Sequence, residues 1–288
     1  MDGDATSGSF VARDGIAIAY SEWGDAAATP LVVFVHATGF CKELCSPIVD
    51  DLFAAGTDFR GVALDQRAHG ESGVPPHPFD WWDVGRDIVE LVAGADQVVG
   101  VGHSAGAATL LLAELSSPGT FAGLVLVEPI VFPPPYGRFP DNPMANGARR
   151  RRDRFVDREA ASANWVGKPA FAGWEERAMR AYVTGGLRDD GDGVVLSCLR
   201  DSEAEFFTAA TDHRGWDRLH EIDIPVLVIA GEYSTTHQEP FLGELVQKMP
   251  QAVSEVVPGA SHFVWMEQPQ LIAARVASLI ERLANESE

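Results

Sequence analysis

The chain has 288 residues, of which 46% are hydrophobic, and this suits one large α/β domain or a core domain carrying an insertion. Its 22 Lys and Arg residues against 42 Asp and Glu residues give a formal net charge of −20. Such a charge disfavours binding to nucleic acid or to an anionic membrane by long-range attraction. We therefore expect the partner to be a small molecule.

The cysteines and the N-terminal sequence bear on location. Cys41, Cys45 and Cys198 are odd in number, which favours a reducing compartment without a disulfide framework. No Cys or His pair at ligand spacing accompanies Cys41 and Cys45, so no metal site is predicted. The first residues lack the positive start and apolar stretch of a secretory signal, and no run of about 20 apolar residues is present. We expect a cytoplasmic protein.

The first half of the chain alternates strand and helix patterns. Residues 11–20 alternate around Asp14-Gly15, which predicts a β-hairpin. Continuous apolar runs, typical of strands covered on both faces, follow at 31–35, 61–64, 97–101 and 122–127. Helical periodicity is found at 83–92 and 107–115. Buried strands alternating with helices predict an α/β fold with a parallel, doubly wound sheet.

The pattern changes after residue 127. A segment rich in Arg, Trp and Phe follows Pro133-Pro134-Pro135 and lacks regular strand signals. Strand patterns return at 225–230 and 252–257, and an amphipathic helix covers 269–283. We interpret residues 1–132 and 218–288 as a core domain and residues 133–217 as a mostly helical cap over the carboxyl edge of its sheet.

The pentapeptide Gly102-His103-Ser104-Ala105-Gly106 lies between a predicted strand and a predicted helix. A strand that turns sharply into a helix exposes the central residue on a strained bend, and small residues must flank it. The N–H groups of the following helix stabilise negative charge at the same place. This context predicts a nucleophile elbow with Ser104 as the nucleophile.

Four motifs, in this order, resemble those of the α/β-hydrolase superfamily. Residues 36–40 (His-Ala-Thr-Gly-Phe) look like the family's His-Gly-x loop, and residues 65–72 resemble its Asp-x-Arg-Gly-x-Gly-x-Ser turn, with Ala68 replacing a glycine. The elbow is the third motif, and residues 259–263 (Gly-Ala-Ser-His-Phe) are similar to the family's histidine loop. The resemblance covers nearly the whole chain except the insertion and implies the α/β-hydrolase fold.

The resemblance also implies roles for individual residues. A serine hydroxyl needs a base to become a strong nucleophile, and the histidine loop makes His262 that base. The backbone N–H groups of Thr38 and Ala105 would form the oxyanion hole. His103 adjoins the nucleophile and cannot easily turn back to it, so we expect it to have a packing role and to line the substrate pocket. Phe40 and Trp265 are expected in the pocket wall, and His69, His213 and His237 in loops or turns without a catalytic role.

Two glutamates are candidates for the acid of the triad. Many family members have Gly-x-x-Asp after the strand that corresponds to 225–230, but this chain has Gly231-Glu232-Tyr233-Ser234 there, and a serine cannot carry the charge. Some relatives place the acid one strand earlier, where Glu128 follows an apolar strand. A carboxylate there is costly to bury unless it is paired. Glu128 is the preferred candidate and Glu232 the alternative.

Together these features predict a serine hydrolase, without cofactor or metal, for an ester, lactone or thioester of a medium-sized, largely apolar molecule. Hydrolysis of C–C bonds, perhydrolysis and hydroxynitrile cleavage by the same triad remain alternatives, as does a ligand receptor with little turnover. Five arginines in the insertion have two interpretations, a solvated helix face paired with acidic residues of the core domain or a site for a substrate anion. They are Arg149, Arg150, Arg151, Arg152 and Arg154.

Overall fold

A computed structural model describes residues 5–286. Its main sheet contains eight strands, β1 (Thr6–Val11), β2 (Ala17–Trp23), β3 (Leu31–Val35), β4 (Arg60–Leu64), β5 (Val98–His103), β6 (Gly123–Val127), β10 (Val226–Gly231) and β11 (Ala252–Val257). Their order is β1-β2-β4-β3-β5-β6-β10-β11. Strand β2 runs antiparallel to β1 and β4, and all other neighbours are parallel. The predicted hairpin is present, with Val11 opposite Ala17.

Helices cover both faces of this sheet. They are α1 (Ser46–Ala54), α2 (Trp81–Leu91), α3 (Ala105–Ser116), α8 (Phe241–Gln247), α9 (Val264–Glu267) and α10 (Pro269–Glu286). Alternate residues of β3 enter opposite layers, since Val33 packs with α2 and α3 whereas Phe34 packs with α1 and α10. This double coverage explains why β3 is a continuous apolar run. The predicted fold class is confirmed.

The insertion lies between β6 and β10 and contains strands as well as helices. Its helices are α4 (Pro143–Arg150), α5 (Arg158–Trp165), α6 (Glu176–Gly185) and α7 (Arg200–Thr208). Its strands β7 (Arg154–Phe155), β8 (Leu187–Asp190) and β9 (Gly193–Leu196) form an antiparallel sheet in the order β7-β9-β8. The sequence analysis found no regular strand here, because β7 has two residues and β8 is mostly charged. Gly191, with φ of +63°, makes the turn between β8 and β9.

The end of the insertion packs on the core domain. The predicted boundary at residue 217 falls inside a 3₁₀ helix, Gly215–Glu221. Trp216 and Leu219 of this helix are buried in the same hydrophobic cluster as α3. Within residues 5–286, no helix combines the length and apolar character needed to cross a bilayer.

Candidate active site

Ser104 lies on the turn between β5 and α3, at the carboxyl edge of the sheet. Its φ of +53° is in the left-handed region, as the nucleophile elbow predicts. The flanking glycines make this turn possible, because a Cβ on Gly102 would lie 2.6 Å from the Ala107 nitrogen and one on Gly106 would lie 2.1 Å from the Val35 oxygen. The close packing of β3, β5 and α3 thus holds the serine at the edge.

His262 connects Ser104 to Glu128. Its Nε2 lies 3.1 Å from Ser104 Oγ and its Nδ1 lies 2.9 Å from Glu128 Oε2. An ionised carboxylate only accepts hydrogen bonds, so His262 donates from Nδ1, and Nε2 is free to accept from the Ser104 hydroxyl. The three side chains come from the ends of β5 and β6 and from the loop after β11. Segments that are distant in sequence thus form one hydrogen-bonded network.

The Glu128 carboxylate is fully buried and has several donors. Its Oε1 accepts from the Gly231 N–H at 2.8 Å, and its Oε2 accepts from the hydroxyls of Ser234 at 2.7 Å and Thr236 at 3.0 Å. Burial alone would raise the pKa of Glu128, but hydrogen bonds from His237 and His262 hold that pKa well below its usual range. The carboxylate is therefore charged at neutral pH.

His237 is a part of this network that the sequence analysis missed. Its Nδ1 lies 2.8 Å from Glu128 Oε2, and its Nε2 lies 3.0 Å from the Pro129 carbonyl oxygen. Both partners are acceptors, so both contacts are hydrogen bonds only when each ring nitrogen carries a proton. The residue was expected in a loop without a catalytic role. It does follow β10 in a loop, but its side chain points to the buried carboxylate.

Glu232, the alternative candidate for the acid, lies on the surface beside Gly259. Glu232 is exposed, and its Oε2 accepts from the Gly259 N–H at 2.8 Å. Ser234, which occupies the position where many family members have an aspartate, donates to Glu128 instead. Of the two glutamates, the structure therefore brings only Glu128 to His262.

The predicted oxyanion donors belong to two segments, the start of α3 and the loop after β3. Ala105 begins α3, so its N–H is one of the helix's first donors, which have no intrahelical acceptor. Thr38 lies in the loop after β3, and its Oγ1 is buried without a hydrogen-bond partner within residues 5–286. The Ala105 N–H and the Thr38 hydroxyl can therefore both donate a hydrogen bond to a ligand oxygen.

Two buried histidines hold the Thr38 loop. Gly39 donates its N–H to His69 Nε2 at 2.9 Å, and Gln66 donates its N–H to His36 Nε2 at 3.1 Å. Burial lowers the pKa of His36 to about 4 and that of His69 to about 3. Both rings are therefore neutral and able to accept these hydrogen bonds.

A cavity of about 380 Å³ separates Ser104 from the insertion. Its core-domain wall consists of Ala37, Thr38, Phe40, Ser104, His262 and Phe263. The larger apolar residues on the insertion side are Met144, Trp165, Phe171 and Phe207. The charged residues are Arg151, Arg152, Lys168 and Glu203. The cavity therefore combines an aromatic interior with several cations.

Only Phe40 of the three predicted pocket residues lies in this wall. His103 is buried behind it, and its Nε2 donates to the His262 carbonyl at 2.9 Å. Trp265 stacks on His103 and donates from Nε1 to the Leu44 carbonyl at 3.0 Å, so it is a core residue. The expectation that Trp265 and His103 line the pocket is therefore corrected. His103 instead supports the loop that carries His262.

The five arginines 149–152 and 154 do not all fit either interpretation, a helix face paired with acids of the core domain or a site for a substrate anion. Arg151 pairs with Glu203 and Arg154 with Asp190, so the acidic partners belong to the insertion rather than to the core domain. Arg151 and Arg152 line the cavity, whereas Arg149 and Arg150 donate to backbone carbonyls outside it.

The same site holds one possible metal-binding group. Among the described residues, Glu128, His237 and His262 are the set whose potential ligand atoms lie within 4.8 Å of one another. In the structure these atoms hydrogen-bond to each other. A metal there would displace the proton through which Glu128 orients His262.

Comparison with known proteins agrees with the fold. Residues 32–275 match the Alpha/beta hydrolase family, and the chain belongs to this family. A 2-(acetamidomethylene)succinate hydrolase of Mesorhizobium japonicum is 25% identical over 261 residues, which cover 88% of each chain. A putative 2-succinyl-6-hydroxy-2,4-cyclohexadiene-1-carboxylate synthase of Bacillus subtilis is 27% identical over 281 residues, covering 93% of this chain and 96% of that protein.

A solved structure extends the likeness to the fold over the whole length. The peroxisomal alpha-beta-hydrolase of Saccharomyces cerevisiae superposes with a TM-score of 0.83 at 19% identity, covering 100% of this chain and 90% of that one. At this identity the likeness concerns the fold alone.

Proposed function

We propose that the protein is a serine hydrolase that cleaves an ester, lactone or thioester of a small molecule through an acyl-enzyme. The observation that carries the proposal is the continuous contact from Ser104 through His262 to Glu128, with distances of 3.1 Å and 2.9 Å. These are hydrogen-bonding distances between a nucleophile, a base and the group that orients the base.

In the proposed reaction, Ser104 Oγ attacks the substrate carbonyl carbon while its proton passes to His262 Nε2. The resulting imidazolium is stabilised by Glu128, and the N–H groups of Ala105 and Thr38 stabilise the oxyanion. His262 then protonates the leaving alcohol or thiol as the bond to it breaks. A water molecule, deprotonated by His262, attacks the acyl-enzyme, and collapse of the second oxyanion releases the acid and restores Ser104.

The relatives support the hydrolase family and no particular reaction. One is a hydrolase and another is a synthase, so their names do not agree on one reaction or one substrate. The cavity of about 380 Å³ beside Ser104, with its aromatic walls, suits an acyl or alcohol group of medium size.

Turnover of p-nitrophenyl esters by the wild type and by Ser104→Ala tests the proposal. We expect turnover by the wild type and a loss of at least about 10³-fold in the variant, because the nucleophile is removed while the fold is kept. Rapid quenching followed by mass spectrometry should detect an acyl group on the peptide that contains Ser104. Undiminished turnover by the variant would contradict the proposal.

A further inference from the structure

Two of the three cations at the cavity have no acidic partner within residues 5–286. The third, Arg151, is engaged, since its NH1 donates to both Glu203 oxygens at 2.9 and 2.8 Å and its NH2 donates to the Tyr182 hydroxyl at 3.0 Å. Its charge is neutralised within the wall. Glu203 in turn packs on Gly39, where a Cβ would lie 2.8 Å from Oε1. This pair therefore builds the wall beside the Thr38 loop and leaves no charge for a ligand.

Arg152 and Lys168 differ from Arg151 in this respect. Arg152 donates from Nε to the Arg154 carbonyl at 2.9 Å, and its guanidinium lies 4.7 Å from the centre of the Phe155 ring. These contacts fix the side chain and leave its terminal nitrogens without a carboxylate among the described residues. Lys168, which is exposed, has no acidic partner there either.

Position at the cavity distinguishes Arg152 and Lys168 from the other cations. Acidic residues outnumber basic ones by 42 to 22, so a shortage of acids does not explain why these two cations have no carboxylate partner among the described residues. Elsewhere in the insertion, Arg154 pairs with Asp190 and Arg158 with Asp189, whereas Arg149 and Arg150 donate to backbone carbonyls outside the cavity. Arg152 and Lys168 come from different segments, one after α4 and one after α5, yet both border the cavity that contains Ser104.

From this convergence we propose that Arg152 and Lys168 form a binding site for an anionic group of the substrate, a carboxylate or a phosphate, at the end away from the scissile carbonyl. The inference rests on the proposed function, because it places the scissile bond at Ser104. Phe171 and Phe207 would hold the apolar part of the substrate between the two ends. Guanidinium and ammonium groups both bind such anions by charge-assisted hydrogen bonds.

The test uses two matched pairs of substrates. Mono-p-nitrophenyl adipate and p-nitrophenyl hexanoate have the same chain length and differ in a terminal carboxylate. Hexanoyl-4′-phosphopantetheine and hexanoyl-pantetheine, both thioesters, differ in one phosphate. For each pair, the ratio of kcat/KM for the anionic over the neutral member is measured in the wild type, in Arg152→Gln/Lys168→Gln and in Arg150→Gln.

We expect the double variant to lower this ratio at least about tenfold in one pair, through KM, because charged hydrogen bonds to the anion are lost. A change in the adipate pair identifies a carboxylate, and a change in the pantetheine pair identifies a phosphate. Arg150→Gln removes one positive charge outside the cavity and should leave both ratios unchanged. Equal ratios in wild type and double variant for both pairs, or the same fall in Arg150→Gln, would overturn the proposal.

Failure of the proposed function would be recognised separately. If the wild type hydrolyses none of the four substrates, calorimetry with adipate and with 4′-phosphopantetheine measures the anion site without catalysis. Binding of either compound to the wild type that is lost in the double variant supports the site. Binding of neither, or equal binding to both proteins, overturns it.

Discussion

Replacing Glu128 with glutamine removes the negative charge behind His262 at nearly constant volume. The carboxylate accepts from Gly231 at Oε1 and from Ser234 and His262 at Oε2. Glutamine has one NH₂ group, so either orientation of the amide places a donor against a donor. The orientation that keeps the hydrogen bond to His262 Nδ1 turns the NH₂ toward the Gly231 N–H. The base stays in place, but its charged form is no longer stabilised.

The size of the expected loss in kcat follows from the negative charge that Glu128→Gln removes. Two unit charges about 4 Å apart interact by about 4 kcal/mol at an effective dielectric constant of about 20. That energy corresponds to about 10³-fold in kcat, with KM little changed because the imidazolium forms only during the reaction. Steady-state kinetics with p-nitrophenyl butyrate measures it, and circular dichroism with thermal melting verifies that the variant is folded.

Glu232→Gln is the matched control. Glu232 is exposed, and among the described residues its carboxylate accepts a hydrogen bond only from the Gly259 N–H, so kcat should stay within about twofold of the wild type. A loss below tenfold in a folded Glu128→Gln variant would show that the charge of Glu128 does not stabilise the His262 imidazolium. A larger loss in Glu232→Gln than in Glu128→Gln would move the acid to Glu232.

Three further predictions concern the network and the stability of the fold. His237→Gln should lower kcat about tenfold at similar KM in the same assay, because a buried hydrogen bond to Glu128 is weakened; an unchanged kcat would contradict this. Gly106→Ala should lower Tm by several degrees in calorimetry, since the new Cβ would meet Val35, whereas Gly147→Ala in α4, where space is open, should not. Unfolding by urea should become easier as the pH falls from about 6.5 toward 4. The pKa values of buried His36 and His69 are lowered from 6.5 to about 4 and about 3, so protons bind first to the unfolded chain, at about 1.4 kcal/mol per pH unit for each histidine. A stability that is constant over that range would refute this.

The sequence was most informative where a local pattern determines the chemistry. The elbow around Ser104 needs two glycines and a strand before a helix, and all of these are visible in a few consecutive residues. His262 was found through its loop motif. The main sheet was predictable for a similar reason, because strands buried on both faces, such as β3, are continuous apolar runs.

Features that depend on tertiary contact were harder to predict. Trp265 was expected in the pocket because it is close to His262 in sequence, yet α9 turns its ring into the core beside Leu44. His237 was missed because its partner, Glu128, is more than a hundred residues away and no motif joins the two. The pairing of Ser234 with Glu128 is equally invisible until β6 and β10 are placed side by side.

The proposed reaction depends on the activation of Ser104 by His262. Intact-mass spectrometry after incubation with a fluorophosphonate measures this activation, since the reagent modifies activated serines without requiring the natural substrate. We expect one adduct on the wild type and none on Ser104→Ala. An adduct that persists in the Ser104→Ala variant, or a wild type that stays unmodified, would contradict it.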